Sequence, residues 1–160
     1  MKLNLLVILV SLIYSLNAKA QIFQTDLNKK NITSVSFKLA NSSITVIGSA
    51  DDSLTITVFG SEHKNLKDSS GLGLHLTITG HTLALEKTMS NAVTYLVKLP
   101  KYISLSVEET HLDKPQMLKV ENMQGDVNVI SWMSTIKISN NTDRLLQAAM
   151  CIRHNCYTSD

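Results

Sequence analysis

The chain has 160 residues, 44% of them hydrophobic and 18% charged, a size and composition suited to one globular domain with a sizeable core. Of its 15 Lys and Arg, Lys2 and Lys19 fall in an N-terminal segment shaped like a cleavable signal, so the remaining basic side chains equal the 13 Asp and Glu in number. A neutral chain lacks the overall field that gathers phosphates or anionic lipids, which argues against nucleic-acid and membrane-surface partners.

Residues 1–20 carry the parts of a secretory signal: Lys2, an apolar stretch from Leu5 to Leu16, and the small-x-small triplet Ala18-Lys19-Ala20. The apolar run is too short to cross roughly 30 Å of hydrocarbon, so export with cleavage before Gln21 is expected. Gln21 stands where a lipoprotein would carry Cys. The product is placed in the periplasm, on the cell surface or outside the cell, and no later segment reads as a membrane span.

A short polar lead-in, with one strand at Gln21-Ile22-Phe23, opens the mature chain. From Val35 onward short runs alternate apolar and polar residues: Val35 to Leu39, Ile44 to Ile47, Leu54 to Val58, Leu72 to Thr79 and Thr82 to Leu85. Alternation with a period of two buries one face of a strand and wets the other. Gly48 to Ser53 and Gly80-His81 supply turn formers between these runs, the latter with the composition of a tight hairpin. Glu62 to Gly71, rich in charge and Ser, reads as an exposed loop.

The pattern continues with Val93 to Val97, Ile103 to Val107, Leu118 to Val120, Asp126 to Ile130 and Thr135 to Ser139. Val120, Val129 and Ile138 recur at nine-residue intervals, each at the inner position of a short strand. Either a flat hairpin meander or a stacked β-solenoid has this spacing, and in a solenoid no coil buries its apolar face alone.

Three stretches carry a resemblance: Ile44 to Val58; Val97-Lys98-Leu99-Pro100-Lys101-Tyr102-Ile103-Ser104-Leu105-Ser106-Val107; and Val120 to Val129, which includes Gly125-Asp126-Val127-Asn128-Val129. Across Val35 to Asn140 the chain resembles the adhesin-like β-solenoids of exported bacterial proteins, a family of unknown function close to autotransporter adhesin head domains. Leu99 replaces the usual Val before Pro, and one Gly-Asp-Val-x-Val is intact. The resemblance implies an all-β, single-stranded right-handed β-helix or β-roll-like solenoid on the cell envelope, and it brings no catalytic residues.

The sequence thus divides into a signal (1–20), an adhesin-like solenoid (21–143) and an atypical tail (144–160). Both Arg, Arg144 and Arg153, and both Cys, Cys151 and Cys156, lie in the tail, where Leu145 to Met150 prefers helix. Two explanations stand open: a helical cap over the end of the solenoid, or a reading frame interrupted near Asn141.

Candidate chemistry is sparse. Export makes a disulfide between Cys151 and Cys156 feasible, whereas a zinc site lacks a second ligand pair. His63, His75, His81 and His111 are scattered and read as surface residues. Asp51-Asp52 and Glu108-Glu109 read as solvated charges rather than a calcium loop. Asp126 and Lys137 are candidates to share a groove, and Trp132 to cover a core edge or stack on a sugar. No Ser sits in a nucleophile turn. No catalytic, cofactor-binding or metal residues are assigned. The expectation is therefore a non-enzymatic envelope protein that binds a glycan or protein or serves structurally, without a cofactor and with self-association open to it. The alternatives are a polysaccharide-active β-helix enzyme and a nonfunctional remnant of a longer solenoid.

Overall fold

The computed structural model describes residues 21–59, 72–87, 92–111, 116–131, 134–141, 146–152 and 155–159, with side chains up to Asn141 except those of Gln21 and His111. The expected loop at Glu62 to Gly71, together with His63, Trp132, Arg144 and Arg153, lies outside the described residues, as do the 1–20 signal and its expected cleavage. Among the described residues the regular structure is strand, apart from one 3-10 turn at Asn28–Lys30, and no helix is long and apolar enough to cross a membrane.

The central feature is a repeated pair of parallel strands joined by a corner, one strand in each of two sheets. β2 (Ser34–Ala40) turns through Asn41 into β3 (Ser42–Ser49). β6 (Thr82–Lys87) precedes β7 (Val93–Pro100), β8 (Ser104–His111) precedes β9 (Met117–Glu121), and β10 (Val127–Ser131) precedes β11 (Thr135–Ser139). In the first sheet β7, β3, β9 and β11 run parallel; in the second β6, β2, β8 and β10 do so.

Antiparallel strands finish both sheets. β4 (Ser53–Phe59) pairs β7, and β1 (Gln21–Asp26) pairs β4. β5 (Leu74–Thr79) pairs β6 across the Gly80-His81 turn. Gly80 has a φ of 59° while His81 keeps a negative φ, the arrangement of a type II′ hairpin.

Strand alternation gives the core. Along β2, Val35, Phe37 and Leu39 are buried, while Ser34, Ser36 and Lys38 point outward. Register then stacks like on like: Val97 beside Val46, Val46 beside Val120, and Leu85, Val107 and Val129 in the row through Phe37. Each fully buried aliphatic or aromatic side chain contributes about 1.5–3 kcal/mol over its exposed state, and stacked rows add these contributions strand by strand.

Corners are equally repetitive. Asn41, Asn122 and Asn140 each adopt a left-handed φ of 49–60°, which Asn tolerates better than other residues with a side chain. A Cβ on Gly48 would lie 2.2 Å from the backbone oxygen of Asn122, and one on Gly125 would lie 2.4 Å from that of Ile103. Glycine is required there by close approach of the next layer rather than by φ.

Two expectations need correction. A single-stranded β-helix, which the resemblance implies, stacks each coil on the one before it, but here β2/β3, first in sequence, sits between β6/β7 and β8/β9. Antiparallel β4 follows β3, and the chain returns to add β6/β7 on one side before crossing to add β8/β9 on the other. The tail is strand rather than helix. β12 (Leu146–Ile152) extends the parallel ladder on β10, with Leu146 opposite Val127 and Ala148 opposite Val129, and β13 (Asn155–Ser159) pairs β12 antiparallel. Helix propensity in Leu145 to Met150 is a weak preference, and the hydrogen-bonding edge of β10 overrides it.

Candidate functional site

The outward residues of the second sheet form cross-strand rows, because parallel pairing holds the same register from strand to strand. Thr82, Ser34 and Ser104 make one row; Ala84, Ser36, Ser106 and Asn128 make the next. Glu86, Lys38 and Glu108 follow, with the lysine between two glutamates. Neighbouring strands lie about 4.8 Å apart, so hydroxyl and amide groups recur at that interval across the sheet. Ser34 Oγ and Thr82 Oγ1 share a hydrogen bond of 2.6 Å.

Small side chains in these rows leave a shallow cleft lined by Ser34, Ser36, Thr82, Ser104, Ser106, Asp126 and Asn128, with Val35, Leu105 and Val127 beneath. Its volume is about 230 Å³, below the ~300–1,000 Å³ of ordinary small-molecule pockets. Asp126 is the one carboxylate that lines it. Serine, threonine and asparagine side chains border the cleft, while the surface it exposes is almost wholly apolar.

Asp126 and Lys137 do not share this groove. Asp126 immediately precedes β10 of the second sheet, whereas Lys137 lies on the outer face of the first, opposite Lys119. Asp51 and Asp52 are exposed in the β3–β4 turn, where the Tyr102 hydroxyl donates to Asp52 Oδ1 and is held above the ordinary phenol range by that carboxylate. His75 faces solvent as expected, and His81 Nδ1 lies 2.9 Å from the Asn31 carbonyl oxygen. Among the described residues no three His, Cys, Asp or Glu are grouped as metal ligands.

Glu109 departs from the sequence reading. Glu108 is exposed, but Glu109 points inward and is fully buried. Its Oε2 accepts from the Ser131 hydroxyl and its Oε1 accepts from Ser134 Oγ at 2.6 Å, while Ser134 N donates to Ser131 Oγ at 2.9 Å. Burial pushes the Glu109 carboxyl above the usual range, against the two serine hydrogen bonds, which favour the ionised form. The group ties the β10–β11 corner to the end of β8, on the opposite side of the sheet from the cleft.

Lys87 is a second inward charge. Its Nζ donates to the Ala40 carbonyl at 2.7 Å and to Ser42 Oγ at 2.8 Å, and burial lowers its pKa to about 8. Strand parity could have found both groups. Leu105-Ser106-Val107-Glu108-Glu109 and Leu83-Ala84-Leu85-Glu86-Lys87 each place the last residue on the apolar face.

Two mixed β-sheets sharing one apolar core, with rows of hydroxyl side chains on the outer face of the second, define an all-β protein. No family model matches the chain, and no curated protein matches it. Among solved structures it is similar to a proposed cell adhesion protein from Clostridium sporogenes, at 9% identity and a TM-score of 0.48, covering 79% of this chain and 66% of that one. It is also similar to a proposed adhesin from Bacteroides fragilis, at 12% identity and a TM-score of 0.44, covering 74% and 61%. The chain spans 66% and 61% of the length of these two neighbours, less than two thirds of each.

Proposed function

We propose that the protein is an exported, non-enzymatic binding module of the cell envelope, a β-solenoid whose second sheet grips an extended neutral glycan on its outer face. The observation that carries this reading is the pair of rows Thr82/Ser34/Ser104 and Ala84/Ser36/Ser106/Asn128. Neighbouring strands lie about 4.8 Å apart, so a glycan lying across them meets several hydroxyl or amide groups in succession, with a gap at Ala84. The shallow cleft suits a ligand longer than the site. The repeated parallel strand pairs support the solenoid reading, and the 1–20 segment supports export.

Co-sedimentation of the purified protein with insoluble cell-wall and capsular polysaccharides tests the proposal. Saturable binding is expected, with a loss of roughly tenfold or more in the Ser36→Glu/Ser106→Glu double variant, in which like charges and bulk occupy the row. Binding unchanged by that double variant, or no binding to any polysaccharide, would overturn it.

A further inference from the structure

We propose that Cys151 and Cys156 form an intrachain disulfide that staples β12 to β13. The two cysteines are Cα partners in the antiparallel ladder. One position nearer the turn, Ile152 is the partner of Asn155, which leaves two residues between the strands. In a two-residue hairpin the pair that closes the loop takes the hydrogen-bonded position, and hydrogen-bonded and non-hydrogen-bonded pairs alternate from there. Cys151 and Cys156 therefore take the non-hydrogen-bonded position, whose Cα atoms ordinarily stand about 4.5 Å apart. That separation lies at the short end of the ~4.4–6.8 Å window of a disulfide, so the register is compatible with a bridge.

The location gives the bond a role. β12 occupies the edge of the parallel ladder on β10, from Leu146 opposite Val127 to Met150 opposite Ser131. A lone two-stranded hairpin is marginally stable, and a covalent tie near its turn opposes separation of its strands. The reaction is thiol–disulfide exchange with glutathione disulfide or an oxidised dithiol oxidoreductase. One cysteine thiolate attacks the incoming disulfide, and the second displaces the resulting mixed disulfide. Two protons and two electrons leave the cysteines, and the oxidant departs as two thiols.

Equilibrating the full chain in graded glutathione buffers, then alkylating and weighing it, tests the assignment. A monomer lighter by two hydrogens and carrying no alkyl groups is expected. In native buffer its disulfide should be favoured by roughly tenfold or more over the same chain in urea, because the hairpin register pre-aligns the two cysteines. The Cys151→Ser/Cys156→Ser variant should lose protection from proteolysis in the terminal strands while the rest of the chain stays protected. Two alkylated thiols under oxidising conditions, crosslinked dimers alone, or equal midpoints with and without urea would overturn the proposal. Loss of glycan binding leaves these readouts unchanged, so the two proposals fail separately.

Discussion

Ile138 lies directly beside Val120 in the parallel ladder of the first sheet, whereas Val129, midway between them in sequence, stacks on Val107 in the second. The nine-residue recurrence is thus a half-repeat: each interval carries the chain across to the opposite sheet, and two intervals return it one strand further along. All three side chains point to the interior, Val120 and Val129 fully buried and Ile138 packed at the margin. The core is one continuous apolar stack shared by both sheets.

Phe37 sits in the inner row of the second sheet with no exposed surface. Phe37→Ala is expected to destabilise the fold by about 3–5 kcal/mol, and Ser36→Ala on the outer face by no more than about 0.5 kcal/mol. Urea unfolding of the two variants checks this. Equal midpoints would contradict the two-faced assignment of β2.

Gly48 and Gly80 should respond to substitution for different reasons. At Gly48 a Cβ meets the Asn122 backbone oxygen at 2.2 Å, so Gly48→Ala forces two layers apart and costs about 1–3 kcal/mol. At Gly80 a Cβ meets nothing within 4 Å, and Gly80→Ala carries only the left-handed penalty of about 1–2 kcal/mol. Gly80→Asn should recover part of that cost because Asn accepts a positive φ, while Gly48→Asn should be worse than Gly48→Ala. Thermal melts of the four variants distinguish the cases.

Glu109 makes stability depend on pH with a definite sign. Its folded pKa lies above the unfolded value, so the folded state holds the proton more tightly. Its contribution is fully present below the ordinary carboxyl pKa and is lost as pH rises through the folded value. Glu109→Gln, which keeps an acceptor for one serine, is expected to raise the melting temperature more at pH 7.5 than at pH 4. An increment equal at both pH values would show that the carboxyl titrates normally.

Lys87 acts at the other end of the scale. Its pKa is about 8 in the fold against 10.5 when unperturbed, so the unfolded chain binds more protons between these values and stability rises with pH across that window. Lys87→Met removes the ammonium while keeping an apolar stem. The variant should flatten this rise, and melts in buffers from pH 7.5 to 10.5 read the slope. A wild-type chain with no rise there would exclude the buried ammonium.

Parity made much of the architecture legible. Ser34-Val35-Ser36-Phe37-Lys38-Leu39 and Leu54-Thr55-Ile56-Thr57-Val58 each announce a strand with one wet and one dry face, and the structure places them so. Gly80-His81 announced its hairpin. The corner asparagines were not legible in the same way, since Asn122 differs from any polar turn residue only through the φ that the next layer imposes. Leu145 to Met150 prefers helix locally, whereas the strand Leu146–Ile152 forms by pairing with β10, and nothing local reports that waiting edge.

Side-chain order along the chain is enough to establish the all-β class, the inward and outward identity of most strand residues, the positions of several turns and the abundance of Ser and Thr on the wet faces. These follow from side-chain alternation, a property of each strand alone. The folded molecule is needed to see that β2/β3 lies between two later strand pairs, that Asp126 and Lys137 belong to different sheets, and that Thr82, Ser34 and Ser104 align into one row. Strand order and cross-strand register depend on hydrogen bonds between residues far apart in the chain, and no local pattern encodes which edge a strand will meet.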